Sequence, residues 1–396
     1  MWGLWTDRVS STGNRSLFPS RSLSDSLDGM TDSNSVPGAA ADAPPKIVLR
    51  SPVDLVAVTP YLLGFHPDHS VVMVALHGRR IAFVARGDLS AGPSATIADD
   101  LLTAARRQHP TEVAVLGYGP DEQVRPVVEA CRSAARRHGL PVKEALRVDQ
   151  GRWWSYTCDD DRCCPPAGTP YDQSASPVAT RCVVEGLPAL PSRQELVRQV
   201  APLGGLTRTS MIQATERVWQ RLSTRLEALP EEECAAAVVA DGKAAVHGAI
   251  ERYAGGGRLD DDEVAWLSVL LQSITVRDVA WSAITDEQPH LRLWQDVIRR
   301  AEPKLVPAPG SLLGFAAYRA GNGALARVAL ERVLGEDPAY SMAVLLLRAL
   351  RDGLPPSTFH GWPWPDGDPG DPGDPGDPAD PGAAPAVAAP AGGDRG

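Results

Sequence analysis

The front half of the chain alternates short apolar runs with stretches of helical spacing. Ser70-Val71-Val72-Met73-Val74-Ala75-Leu76 is a continuous apolar run of strand length and β-branched character, the pattern of a strand covered on both faces. Gly78-Arg79-Arg80 turns it into Ile81-Ala82-Phe83-Val84-Ala85, so the two are expected to pair as a hairpin. Upstream, Lys46 to Arg50 reads as a short strand. Val53 to Leu63 reads as a helix, with Ser51 as N-cap, Pro52 at the first helical position and Gly64 closing it. Thr96 to His109 places Ile97, Leu101, Leu102 and Ala105 at helical spacing, and Pro110 ends it. Val113 to Leu116 is the next strand, Asp121 to His138 the next helix, and Val142 to Val148 and Arg152 to Cys158 are two further strands around Gly151. The order β-α-β-β-α-β-α-β-β predicts an α/β mixed sheet flanked by helices, its parallel links made by right-handed crossovers.

From about residue 187 the period changes and nothing alternates like a strand. Ser192 with Glu195 matches a capping box opening a helix over Glu195 to Ala201, which Gly204-Gly205 breaks. Further helices are predicted at 209–228, 231–253, 261–274, 278–284, 291–301, 311–320, 324–334 and 340–350. The fold expected is therefore an α/β mixed-sheet N-terminal domain, residues 46–186, followed by an all-α domain, residues 187–355.

Composition adds two tails. Residues 1–45 are rich in Ser, Asp, Gly, Ala and Pro with no apolar period, so they cannot repay the entropy of ordering and are expected to be disordered. Met30 within them is expected to be where the working chain starts. Residues 356–396 dissolve into Pro, Gly, Asp and Ala; four Gly-Asp-Pro triplets are too few for a collagen helix, and an extended acidic tail is expected. This tail carries much of the formal net charge of -10, leaving a nearly balanced body. A balanced body argues against nucleic acid, which needs a clustered basic face, and against an anionic membrane. With neither a transmembrane run nor an apolar leader, a reducing cytoplasm is expected, where the six Cys are thiols or metal ligands rather than a disulfide framework.

The chemistry-bearing residues concentrate in Arg152-Trp153-Trp154-Ser155-Tyr156-Thr157-Cys158 and on through three Asp to Cys163-Cys164-Pro165. Cys158, Cys163, Cys164 and the more distant Cys182 can supply thiolates to a tetrahedral zinc. The alternatives are a redox disulfide such as Cys158 with Cys163, or inert thiols in a tight loop. His66-Pro67-Asp68-His69 offers imidazoles and a carboxylate for acid/base work, against the plainer reading of a rigid turn. Gly117-Tyr118-Gly119-Pro120-Asp121 stands where open α/β sheets bind phosphates, but Asp121 would repel an anion. Gly242-Lys243 lies inside a helix and is no P-loop. Trp219, Trp266, Trp281 and Trp294 stand in the helical half. There Leu291, Trp294, Val297, Ile298 and Ala301 form a core-type stripe. Trp362-Pro363-Trp364 reads either as a linear motif or as a clamp.

The chain resembles a family known only as a domain of unknown function, DUF 4192, familiar from actinobacterial proteins. The likeness rests on Pro60-Tyr61-Leu62-Leu63-Gly64-Phe65-His66-Pro67 with Ser70, on Arg152 to Tyr156 with Cys163-Cys164-Pro165, on Pro191-Ser192-Arg193, and on Arg277-Asp278-Val279-Ala280-Trp281. It spans roughly residues 46–355 and carries no activity to transfer. Leu313-Gly314, Gly321, Ala326, Leu330, Val333 and Pro338 resemble a single tetratricopeptide repeat, its usual Trp and Tyr replaced by Gly310 and Ala317.

No catalytic signature is present, so the function expected is an interaction or regulatory protein binding a protein or peptide through its helical domain. The alternative is an enzyme or small-ligand binder with a pocket between the halves, formed by His66, Asp68 and Arg152, with the Trp/Cys segment as the seam. No cofactor is expected except zinc at the cysteines.

Overall fold

The first described helix shows how local sequence sets the elements. In this computed structural model, which describes residues 2–5, 49 and 51–359 apart from 79, 188 and 286, α1 spans Pro52–Leu63. Ser51 accepts from the Asp54 N–H while Asp54 reaches back to the Ser51 N–H, a closed capping box, and Gly64 ends the helix at φ 79°. Its buried residues, Leu55 to Pro60 with Leu62 and Leu63, run round the whole helix rather than along one stripe.

Trp2–Trp5 forms β1, and six further strands follow: β2 Ser70–His77, β3 Arg80–Asp88, β4 Glu112–Tyr118, β5 Val142–Asp149, β6 Arg152–Ser155 and β7 Thr169–Pro170. They build one sheet in the order β1-β3-β2-β4-β5-β6-β7. β2 and β3 pair as the expected hairpin, with a register irregularity at Ala75/Leu76. Among the described strands only β4 and β5 pair in parallel, joined by α3 (Asp121–Arg137); all other pairs are antiparallel. Lys46 to Arg50 lies outside the described residues but for Leu49, which belongs to no strand.

Gly87, Val71 and Gly117 share one row of the sheet and hence one face. A Cβ on Gly117 would sit 2.2 Å from Val124 of α3, and one on Gly87 3.2 Å from Ile97 of α2 (Ser94–Arg106), so both helices cover that face. Tyr118, one residue on, points the other way, toward Thr59 of α1. α4 (Pro177–Val184) was not legible as a helix in the sequence; it packs on α1, where Gln173 donates to the Ala57 carbonyl.

The rest of the described chain is helical: α5 Arg193–Val200, α6 Gly205–Glu227, α7 Glu231–Ala254, α8 Asp261–Leu270, α9 Ile274–Ser282, α10 Gln288–Arg300, α11 Pro307–Arg319, α12 Gly323–Glu336 and α13 Ser341–Arg351. Ser192 precedes α5 without capping it through its side chain, and the Glu195 carboxylate bonds Arg198; the capping box expected there does not close. Leu291, Trp294, Val297, Ile298 and Ala301 are buried, and Trp281 stacks on Phe315 with centroids 3.8 Å apart. Trp219 instead stays largely exposed, and Trp266 lies under the Arg221 guanidinium. Gly310 and Gly314 let α11 approach α12 closely: a Cβ would meet Val333 at 2.4 Å and Leu330 at 2.6 Å. No indole fits at Gly310. Gly242 likewise sits inside α7 against Val276.

The helical half docks on the β3 side of the sheet. Leu190 bridges Phe65, Gln108 donates to the Gly353 carbonyl, and Arg351 faces Asp100 of α2. Sheet and helices share one continuous core within the unit Met1–His360. Met30, the remainder of the N-terminal extension, Trp362, Trp364 and the Gly-Asp-Pro tail lie outside the described residues.

Candidate functional site

The Trp/Cys segment is built as a clamped loop at the sheet edge farthest from β3. β6 pairs with β5 and then, after the loop of residues 156–168, with β7, so the loop leaves and returns beside Arg152 and Trp153. Arg152 Nη1 donates to the carbonyls of Ala167 (3.1 Å) and Gly168 (2.8 Å). Trp154 Nε1 donates to the Pro166 carbonyl at 3.0 Å. The Trp154 ring packs against Gly168, which has φ +75°, and carries the Arg147 guanidinium 3.5 Å from its centroid. Tyr156 extends the clamp: its hydroxyl donates to Asp121 Oδ1 at 2.7 Å, and its N–H bonds the Ala145 carbonyl. Burial pushes the Asp121 carboxyl up, but hydrogen bonds from Arg125 and Tyr156 outweigh it and hold the group below its ordinary value. The position where a phosphate would sit at the start of α3 thus holds a carboxylate.

Within this loop the N–H groups of Cys163 and Cys164 both bond the Asp160 carbonyl, a tight turn that brings both cysteines beside Cys158. The Sγ atoms of Cys158, Cys163 and Cys164 all lie within 4.8 Å of one another, and Cys163 is exposed. Burial, and then hydrogen bonding with the two neighbouring thiols, pushes the Cys164 thiol up to about 12. All six cysteines are free. Cys182 stands apart on α4, fully buried, its thiol pushed up to about 11 by burial. The sequence grouped it with the loop thiols; among the described residues the metal-type cluster contains only the other three.

His66 follows α1, with its N–H bonded to the Leu190 carbonyl and its imidazole pulled below the ordinary value by burial. Asp68 is exposed and accepts from the His69 N–H at 2.9 Å, while His69 Nδ1 contacts Gln123 Oε1 at 3.1 Å. The first bond is that of a turn, and the second ties His69 to α3. Ser70, Tyr118, Val148 and Trp153 form one row across β2, β4, β5 and β6, which sets the His66 turn and Arg152 at the same end of the sheet but three strand spacings, about 14 Å, apart. Among the described residues no hydrogen bond or ion pair joins His66 or Asp68 to Arg152, whose guanidinium is committed to the loop. Nor does any such bond join residues 152–168 to residues 193–355; the bonds between the halves run instead through Phe65, Gln108 and Asp100.

The family model described as Domain of unknown function (DUF4192) matches residues 52–357, well over half of the chain. This chain belongs to that family. No curated protein and no solved structure matches it. In this DUF4192 chain the stretches that carried the resemblance take separate jobs. Pro60 to Pro67 ends α1, Arg152 to Tyr156 with Cys163-Cys164 makes the clamped loop, Arg193 of α5 pairs with Glu331 of α12, and Trp281 packs in the helical core.

The seam of this DUF4192 chain holds a charge cluster that sequence reasoning missed. Arg86 on β3 pairs with Asp88, while Arg193 of α5 and Arg327 of α12 both pair with Glu331. Arg86 and Arg327 are 5% and 7% exposed. Burial above all, with the nearby Arg193 charge adding to it, pulls both guanidinium groups below their ordinary value. Arg86 also lies over the Phe65 ring at 5.5 Å. Arg193 and Glu331 are 138 residues apart in the chain, so no local motif announces their meeting.

Proposed function

We propose that the clamped loop of this DUF4192 chain is a site for a thiophilic divalent cation, zinc, held by the Sγ atoms of Cys158, Cys163 and Cys164. The observation that carries this reading is the convergence of the three thiols within 4.8 Å. Zinc–sulfur bonds of about 2.3 Å in a tetrahedron set ligand sulfurs roughly 3.8 Å apart, inside the 4.8 Å limit within which the three thiols lie. Three thiolates leave the fourth position for water or a substrate atom, and a bound zinc would supply Lewis acidity there. The chain's own residues do the positioning. Arg152 and Trp154 hold the loop backbone, the Asp160 carbonyl fixes the turn, and the thiols release their protons on binding. Thiol ligands also suit the reducing compartment expected for the chain.

Elemental analysis of the purified, reduced chain with chelator competition tests the reading. One equivalent of zinc is expected, lost in Cys164→Ser and retained in Cys182→Ser. Substoichiometric zinc, with Cys163 alkylation unaffected by added zinc, sinks it.

A second reading, an interaction protein working through its helical half, is favoured by α13. Val344 and Leu345 on that last helix are 43% and 65% exposed, next to the hairpin with tetratricopeptide-like spacing. Leu345→Glu should abolish recovery of a partner cross-linked to the native chain; undiminished recovery argues against it.

A further inference from the structure

The thiol trio also has the make-up of an oxidation switch. Cys163 is exposed, Cys158 and Cys164 are half-buried, and the three Sγ atoms lie within 4.8 Å of one another. An oxidant arriving from solvent meets Cys163 first, with further thiols already beside it. Chain geometry decides which of the two answers. Consecutive Cα atoms stand about 3.8 Å apart across a trans peptide, short of the roughly 4.4–6.8 Å that a disulfide spans, so Cys164 is a poor partner for its neighbour. Cys158 lies across the turn closed on the Asp160 carbonyl and is free of that constraint. The clamp lies outside this turn: Arg152 and Trp154 bond the carbonyls of Pro166, Ala167 and Gly168, so residues 158–164 can tighten without breaking it. Asp159, Asp160 and Asp161 stand exposed beside the thiols against the single charge of Arg162, surroundings that suit an uncharged oxidant better than an anionic one.

We propose that this loop is a redox-controlled zinc site, in which a hydroperoxide oxidises Cys163 and Cys158 to a disulfide and the ion is released. The release rests on the zinc reading above; the disulfide step stands on the thiols alone. Cys163 Sγ attacks the near peroxide oxygen, the O–O bond breaks, and the far oxygen leaves as water or alcohol, giving a sulfenic acid. Cys158 Sγ then attacks that sulfur, the S–O bond breaks, water leaves and the S–S bond forms. The two thiols lose two electrons and the peroxide gains them. Where the thiols start as zinc-bound thiolates, solvent supplies the two protons. Cys164 remains as a single ligand, too few to hold the ion. In a reducing compartment the disulfide is transient, and its reduction restores the site.

Hydrogen peroxide added to the full zinc-loaded chain, freed of reductant, tests this, with a chromogenic zinc indicator and peptide mass mapping as readouts. Cleavage after Arg162 puts Cys158 and Cys163 on different peptides, so their disulfide appears as a linked pair, and fragmentation tells Cys163 from Cys164 as the partner. Zinc release in step with the loss of two thiols is expected, together with the Cys158–Cys163 pair and renewed zinc binding after dithiothreitol. Cys164→Ser should still form the linked pair. Cys158→Ser should not, and its Cys163 should run on to the sulfinic acid. Zinc retained while Cys163 is oxidised, or Cys163 still locked in a disulfide in Cys158→Ser, overturns the inference. A reduced chain that holds no zinc before peroxide is added sinks the zinc reading and the release with it, a failure read one step earlier.

Discussion

Replacing Gly168 with alanine is the sharpest perturbation of the clamped loop, because two separate costs fall on one methyl group. The residue sits at φ +75°, where an L side chain crowds its own backbone at about 1 kcal/mol. The added Cβ would also stand 2.4 to 2.7 Å from Cε2, Cζ2 and Nε1 of Trp154. The indole ring is also held by Arg147, whose guanidinium lies 3.5 Å from the ring centroid. It must swing out, giving up the hydrogen bond to the Pro166 carbonyl, about 1 kcal/mol, and the cation–π contact, about 0.5 to 1 kcal/mol. Together these shift loop opening by about 2 to 3 kcal/mol, or roughly 30- to 150-fold in the opening equilibrium. Amide hydrogen exchange reads this directly at Gly168 and Tyr171, whose N–H groups bond the Pro165 and Gly151 carbonyls. Gly151→Ala, in the adjoining β5–β6 turn at φ +71° with nothing near its Cβ, isolates the backbone cost. Equal exchange in the two variants would refute the claim that Trp154 clamps the loop.

Arg300→Leu should cost about 3 kcal/mol in urea-induced unfolding. The buried guanidinium bonds Asp261 and the Leu259 carbonyl and pairs with Asp296, and its removal strips a partner from a largely desolvated carboxylate. Acid should weaken the fold through His290, 4% exposed and held below its ordinary value by burial first, with Arg319 adding to it. The unfolded chain then binds the proton more readily, so this stabilisation is present above about pH 6.5 and is lost as pH falls below that. His290→Gln should flatten this part of the stability profile between pH 7.5 and 5.5, and an unchanged slope would remove His290 as its source.

What the sequence determined by itself was carried by neighbours along the chain. The apolar run of β2, the Ser51 cap with Pro52, and the helical stripe through Trp294 were legible because burial period and capping act within a few residues. The thiol cluster was legible for the same reason: Cys158, Cys163 and Cys164 ride on one short loop whose turn closes on Asp160. α4 escaped notice because only Val178, Ala179 and Cys182 are buried in its eight residues, too few to show a period. Tertiary structure alone decided strand order, and with it which edge received the helices. Pairing between strands depends on partners far apart in sequence, so Arg152 to Cys158 could be read as a strand and its thiols as a loop, but the segment could not be placed at the β7 edge of the sheet. Arg86, Arg193, Arg327 and Glu331 each look like ordinary surface charges in their own stretches. Only when β3, α5 and α12 close on one another does water leave them, and burial then turns scattered charges into a cluster.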